Sequence, residues 1–225
     1  MSDIAANIAA IRRRIEAAAA RAGREPTSVR LIGASAAFKG VSVEQIEAAL
    51  DAGLLDFGEN RVQEAQDHIQ ALGDRAREAT WHFIGHLQTN KAKDAIERFD
   101  ILQTIDSLRL AQQLSRRATR PIRILLEVNV IGESSKSGFA PPEVADAVQA
   151  VRELPNLDLI GLMTIAPVTS DPELVRPYFR QLQELAQCHG LQELSMGMTD
   201  DFEVAVEEGS TMVRLGRAIF GEHRR

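Results

Sequence analysis

Val29-Arg30-Leu31-Ile32-Gly33-Ala34-Ser35, followed by Ala36-Ala37-Phe38-Lys39-Gly40 and then by Ser42-Val43-Glu44-Gln45, contains the unit that the chain repeats. The apolar run from Val29 reads as a buried strand. Ser42 with Gln45 three residues later is a capping-box pattern that opens a helix to Asp51, and Gly53 closes it. A strand that hands over to a helix within a few residues cannot pair with its successor as a hairpin. It reads as half of a parallel crossover.

The same alternation continues outward from this unit. Leu54-Leu55-Asp56-Phe57 reads as a second strand, ending in Gly58-Glu59-Asn60. Helix 60–71 then leads to strand Trp81 to Gly85, helix 89–98 to Ile101 to Ile105, and helix 107–118 to Ile122 to Val130. Helix 141–153 precedes Leu157 to Ile165, helix 171–188 precedes Leu191 to Met196, and helix 199–208 precedes Thr211 to Leu215. No Asn-Gly-type turn separates any two strands. Upstream, Ile4, Ile8, Ile11 and Ile15 recur at helical spacing behind a Ser2 or Asp3 cap, and Gly23 with Pro26 ends that helix. Eight strand–helix units are the number that closes a barrel. The expected fold class is α/β: a single-domain (β/α)8 TIM barrel over residues 1–225 with an additional N-terminal helix. An open doubly wound sheet is the alternative, but Gly33 lacks the partner glycines of a dinucleotide-binding G-x-G-x-x-G.

The bulk properties narrow the function classes. A chain of 225 residues with net charge −6 and no basic block carries no phosphate-backbone footprint, so nucleic acid is not an expected partner. Cys188 is the one cysteine, which excludes an internal disulfide and fits a reducing compartment. No apolar run reaches the length of a membrane span, and the N-terminus lacks a signal-peptide layout. A cytoplasmic location is expected.

In such barrels the chemistry sits where the strands end. The residues there are Ser35 to Lys39, Glu59-Asn60, His86, Thr104 to Asp106, Asn129, Met163-Thr164, Ser195 to Thr199 and Arg214 to Arg217, an unusually polar set. The last two units are the most informative. Ser195-Met196-Gly197-Met198-Thr199 and Leu215-Gly216-Arg217-Ala218-Ile219 each run from a strand into a helix through glycine, at the place where barrels bind phosphate. Plain turn glycines are the alternative. Lysines are few: Lys39, Lys91, Lys93 and Lys136. Lys39, at the mouth of the first strand, is either a solvated turn residue or a desolvated nucleophile. A phosphate site, a lysine at strand one and an arginine at strand eight are together what pyridoxal phosphate (PLP) requires, with Arg214 facing the pyridine nitrogen. A guanidinium cannot take up the ring's proton, which disfavours demanding carbanion chemistry.

The chain resembles the pyridoxal phosphate homeostasis proteins, whose barrel is that of the alanine racemase N-terminal domain. The resemblance is carried by Phe57-Gly58-Glu59-Asn60-Arg61-Val62-Gln63-Glu64, Trp81-His82-Phe83-Ile84-Gly85-His86-Leu87-Gln88 and Ser134-Ser135-Lys136-Ser137-Gly138-Phe139. It continues through Gly161-Leu162-Met163-Thr164-Ile165, Leu194-Ser195-Met196-Gly197-Met198-Thr199-Asp200-Asp201 and Gly209-Ser210-Thr211-Met212-Val213-Arg214. It implies a PLP-binding protein of intracellular cofactor homeostasis that holds PLP as a Schiff base with little or no turnover. PLP-dependent apoenzymes are the partners it suggests, and a monomer is the expected state. By this resemblance Asn60 and His86 line the pocket, Ser195, Thr199 and the Gly216 turn hold the phosphate, and Arg214 meets the pyridine nitrogen. Met163 and Gly197 complete the set.

The sequence departs from that family where its first strand ends in a Ser-Lys pair. Here Ser35 is followed by Ala36. Counting forward from Leu31 puts the lysine at Ala36; counting back from Ile46 puts it at Lys39. Either a short insertion has carried the lysine to Lys39, which is the favoured reading, or the Schiff base is lost. Side-chain alternation places Lys39 opposite Ala36 unless a bulge intervenes. Arg217 stands where many relatives have a small hydroxyl residue, and an arginine can still bind phosphate. His82 and His86, four apart on the expected strand, share a face without a third metal ligand, so His82 reads as a satisfied buried histidine. Asp200-Asp201 reads as structural at a helix start. Two alternatives stay open: an amino-acid racemase, and a phosphate-ligand sensor. Against the racemase, the one tyrosine, Tyr178, falls in a helix after strand six.

Overall fold

The computed structural model describes residues 3–35, 41–133 and 136–221. Its strands are Arg30–Ala34 (β1), Asp56–Glu59 (β2), Thr80–Phe83 (β3), Ile101–Ile105 (β4), Ile122–Glu127 (β5), Leu157–Met163 (β6), Glu193–Ser195 (β7) and Met212–Leu215 (β8). They pair in chain order and in parallel, and β8 pairs back on β1 with Ile32 opposite Arg214, so the sheet closes into an eight-stranded barrel. The alternation of strand and helix produces this result. A parallel strand needs a crossover, and the crossover helices Val43–Asp51 (α2), Val62–Leu72 (α3), Ala92–Arg98 (α4), Leu108–Arg117 (α5), Val144–Arg152 (α6), Arg176–Cys188 (α7) and Phe202–Glu207 (α8) cover the barrel's outer face. A short helix, Arg217–Phe220 (α9), follows β8.

The opening helix Ile4–Arg21 (α1) is capped by Asp3, whose carboxylate accepts from Ala6 N at 3.0 Å. Its buried Ile4, Ile8, Ile11 and Ile15 lie against α2, α8 and α9, each burial worth about 1.5–3 kcal/mol. Arg14 rests 4.5 Å over the ring of Phe202, and Asn7 donates to Ile219 O at 2.9 Å. The expected capping box of α2 is present in both directions, between Ser42 and Gln45.

Two apolar layers divide the interior. The larger lies between sheet and helices. The smaller fills the barrel itself with Ile32, Ile101, Leu125, Met163 and Met212, and it fixes which face of each strand points inward. Strand two lies two residues later than its apolar run suggests. Gly53 turns the chain at φ +74, Leu54 is buried ahead of the strand, and Leu55 is half exposed. Asp56 to Glu59 makes the ladder instead. The fifth and sixth strands end at Glu127 and Met163, short of the expected Val130 and Ile165; after β5 the chain turns at Asn129, whose side chain accepts from Gly132 N at 3.1 Å.

Candidate functional site

β8 brings Arg214 to the carboxyl end of the barrel with its side chain inward, in line with Met212 and register-paired to Ile32. Arg214 is 5% exposed. It donates through Nη1 to Ser195 Oγ at 2.5 Å and through Nη2 to Thr164 O at 2.9 Å. Thr164 in turn donates its hydroxyl to Val128 O at 2.7 Å, so Arg214 spans the ends of β5 to β8. Burial draws the guanidinium down to about 10, opposed by the charges of Asp201 and Glu127. It remains a cation at neutral pH.

The turn after β7 is built against this group. Arg214 N donates to Gly197 O at 3.0 Å. Gly197 sits at φ +95, and a Cβ there would meet Ala205 Cβ at 2.6 Å and Phe202 Cα at 3.0 Å. Glycine is therefore required twice, by the dihedral and by the close approach of α8. Asp201 accepts from Met198 N at 2.6 Å and is raised by its own burial. Its role is to brace the Gly197–Thr199 turn, a more specific job than favouring a helix dipole. Gly216 opens α9, and Arg217 is exposed and ion-paired to Asp200, so the two turns after β7 and β8 are joined.

The other expected residues fall on the rim and in the floor. Exposed Asn60 and His86 line one groove of about 300 Å³ together with Gln63, Phe83 and Lys91. His86 Nδ1 lies 3.3 Å from Asp106 Oδ2. Met163 is fully buried in the barrel's inner cluster and is the register neighbour of Ser195 and Glu127, so it forms floor beneath Arg214. Lys39 and Ala36 lie outside the described residues.

Ser195, which the resemblance assigns to the phosphate, is fully buried, accepts from Arg214 and donates to Gln103 Oε1 at 2.6 Å. A hydroxyl engaged in this way supports Arg214. His82 and His86 do not share a strand face, because β3 ends at Phe83. His82 is the satisfied buried histidine expected, bonded to Asp56 and Gln103 at 2.9 Å each. Among the described residues there is no cluster of three or more His, Cys, Asp or Glu able to hold a metal, and no helix is long and apolar enough to cross a membrane.

Two residues, Gln103 and Glu127, escaped the sequence reading, and a third, Glu59, was placed at a strand end without a role. Gln103 lies inside a uniformly buried strand, and only the inward position of Ile101 two residues earlier could have marked it. Glu127 ends β5 inward of Leu125 and is raised by burial and then by Asp106, against the pull of Arg214. Glu59 is fully buried and outward-facing, with Oε1 2.8 Å from His68 Nδ1. Its Oε2 has no hydrogen-bond partner among the described residues. His68 also reaches Val41 O at 3.2 Å and is raised, first by its bond to Glu59.

The family model described as alanine racemase, N-terminal domain, matches residues 6–224. A protein of Aquifex aeolicus named pyridoxal phosphate homeostasis protein is 44% identical over 94% of each chain, and that of Escherichia coli K12 is 43% identical over 98% of this chain and 97% of its own. This chain belongs to the pyridoxal phosphate homeostasis family. Among solved structures, PipY of Synechococcus elongatus with PLP bound superposes at TM-score 0.82 with 34% identity, covering 97% of this chain and 100% of that one. Alanine racemase of Corynebacterium glutamicum shares the barrel at TM-score 0.73 and 21% identity, over 99% of this chain but 62% of its own, which shows the fold alone. Relatives of this family bear the name of homeostasis proteins, whereas the racemase likeness concerns architecture.

Proposed function

We propose that this chain binds pyridoxal 5'-phosphate at the carboxyl end of its barrel and serves intracellular PLP homeostasis, with little or no catalytic turnover. The observation that carries the reading is Arg214, a buried guanidinium fixed at the carboxyl end of the barrel, next to two glycine turns. The residues fit the cofactor. A guanidinium offers donors and no acceptor, which suits an unprotonated pyridine nitrogen. The Gly197–Thr199 and Gly216–Arg217 turns suit the phosphate, and Asn60 and His86 form the rim. When bound, PLP supplies an electrophilic carbonyl carbon and an electron-withdrawing ring. Arg214 keeps its own proton at neutral pH and orients the ring without charging it. Lys39 is the group assigned to the carbonyl carbon. Membership of the family, the PLP-bound PipY relative and the absence of a long apolar helix among the described residues support this reading and a cytoplasmic location. The whole chain is read as one domain that acts as a monomer and delivers PLP to apoenzymes.

The racemase reading is weaker for a positional reason. Tyr178, the one tyrosine, lies on α7 in the outer helical layer, packed against the core between helices and sheet. It therefore cannot act as a second base at the barrel mouth. The test is to load the purified protein with PLP, record the visible absorbance, reduce with borohydride and map the modified peptide by mass spectrometry. Label on Lys39, lost in Lys39→Ala, is the expected result. Tight binding with label on no lysine would indicate a phosphate-ligand sensor, and no binding would refute the assignment.

A further inference from the structure

A line of polar side chains crosses the apolar barrel interior from mouth to base, and its direction is dictated from one end. Arg214 can only donate, so Ser195 Oγ must accept from it. Ser195 then gives its proton to Gln103 Oε1. That choice turns the amide nitrogen of Gln103 toward His82 Nδ1 at 2.9 Å and Met212 Sδ at 3.5 Å. An amide nitrogen also only donates, so His82 Nδ1 accepts and its proton resides on Nε2, facing Asp56 Oδ1 at 2.9 Å. His82, Gln103 and Ser195 are each fully buried, while Asp56, at the start of β2, opens the line to solvent at the opposite end of the barrel.

We propose that Gln103 and His82 are positioning residues for Arg214, acting through Ser195 to hold the guanidinium in the one orientation that presents it to the pyridine nitrogen. The proposal rests on the PLP reading above. Ser195, Gln103 and His82 each have a donor role and an acceptor role filled, so none of the three can rotate alone. Protonating His82 on Nδ1 would require Gln103 to turn its oxygen toward the ring and its nitrogen toward Ser195. Ser195 would then face two donors and lose the acceptor of its own proton. The groups facing His82 are Asp56 from β2, Gln103 from β4, Arg30 from β1 and Asp100 ahead of β4. Its burial outweighs the two carboxylates and keeps the ring neutral. The chain therefore stays in one direction across the neutral range.

The experiment has an arm without cofactor. In the apo-protein, long-range ¹H–¹⁵N spectra of the imidazoles show His82 as the Nε2–H tautomer, still neutral where an ordinary histidine takes up its second proton. In the same sample the Arg214 ηNH groups are resolved by restricted rotation, and Gln103→Leu averages them. With PLP, Gln103→Leu weakens binding roughly tenfold and shifts the absorbance maximum, a loss equivalent to about 1.4 kcal/mol. Gln103→Glu rescues binding, because a carboxylate still accepts from Ser195, while it charges His82. An Nδ1–H tautomer or an imidazolium in the wild type overturns the chain's direction. Gln103→Leu with wild-type affinity and spectrum, in protein shown folded by circular dichroism, overturns the positioning role. Wild-type protein that takes up no PLP refutes the cofactor assignment itself, a result separable from either.

Discussion

Gly85→Ala tests whether the rim of the site is set by backbone contact between β2 and β3. A Cβ at Gly85 would lie 2.2 Å from Asn60 O, 2.6 Å from Asn60 Cα and 2.8 Å from Asn60 C. All three are backbone atoms, so no side-chain rotation relieves the overlap. Restoring a normal contact of about 3.5 Å requires the two segments to part by roughly 1 Å. The separation strains two hydrogen bonds that hold the place: Thr104 Oγ1 to Gly85 O at 2.5 Å, and Ile84 N to Glu59 O at 2.9 Å. Overpacking costs about 1–3 kcal/mol and each weakened bond about 1 kcal/mol, so the expected destabilisation is about 3 kcal/mol. For a chain of this size that corresponds to a fall in Tm of roughly 6–12 °C. Urea unfolding gives the free energy and a PLP titration gives the effect on the rim, where displacement of Asn60 weakens uptake. Gly23→Ala is the control, since Gly23 has φ +64 at the end of α1, where Arg24 N donates to Ala19 O, but no atom within 4 Å of its Cβ, so only the left-handed backbone cost of about 1–2 kcal/mol applies. If Gly85→Ala unfolds no more easily than Gly23→Ala, the close approach does not set the rim.

Two histidines give opposite dependences of stability on pH. His68 is raised in the folded state by Glu59, so its contribution is complete below about pH 6.5 and is lost as pH rises through the higher folded value; His68→Gln removes that decline in pH-dependent urea unfolding. His82 is depressed by burial, so the unfolded chain gains a proton near pH 6.5 that the folded chain refuses, and stability falls as pH drops below it. Against the His68→Gln background only that acid-side loss should remain of the two, and a stability curve flat below pH 6.5 would contradict the neutral assignment of His82. Arg217→Ser removes an exposed pair with Asp200 and changes stability by less than about 1 kcal/mol. If Arg217 contributes to phosphate binding, the variant loses about tenfold of its preference for PLP over pyridoxal, and an unchanged ratio in parallel titrations shows that it does not.

How far the sequence could be read depends on which side chains face which layer. The alternation of short apolar runs with capped helices was legible because parallel strands buried on both faces leave little choice of partner, and Ser42–Gln45 marks a helix start by chemistry alone. The position of β2 was not legible, because Leu54 and Leu55 are more apolar than the strand they precede. Leu54 is buried as a plug beside Gly33, where a Cβ would come within 2.7 Å of its Cδ2. The glycine turns and Arg214 were legible at the strand ends, where glycine and charge are unexpected. Ser195 was legible as a strand-end hydroxyl but its bonds to Arg214 and Gln103 were not, because such a hydroxyl looks the same in sequence whether it faces an anion or a guanidinium. Gln103 was hidden for a different reason. It interrupts Ile101–Ile105 at an inward position, and inward is defined only when the barrel closes and places Ile101 in the same interior as Met212. A buried amide in an otherwise apolar barrel would lose about 1–3 kcal/mol if unpaired. Its position is explained by the partners it joins, and those partners lead through Ser195 to Arg214. The least expected polar residue of the interior thus belongs to the same site as the most conspicuous one.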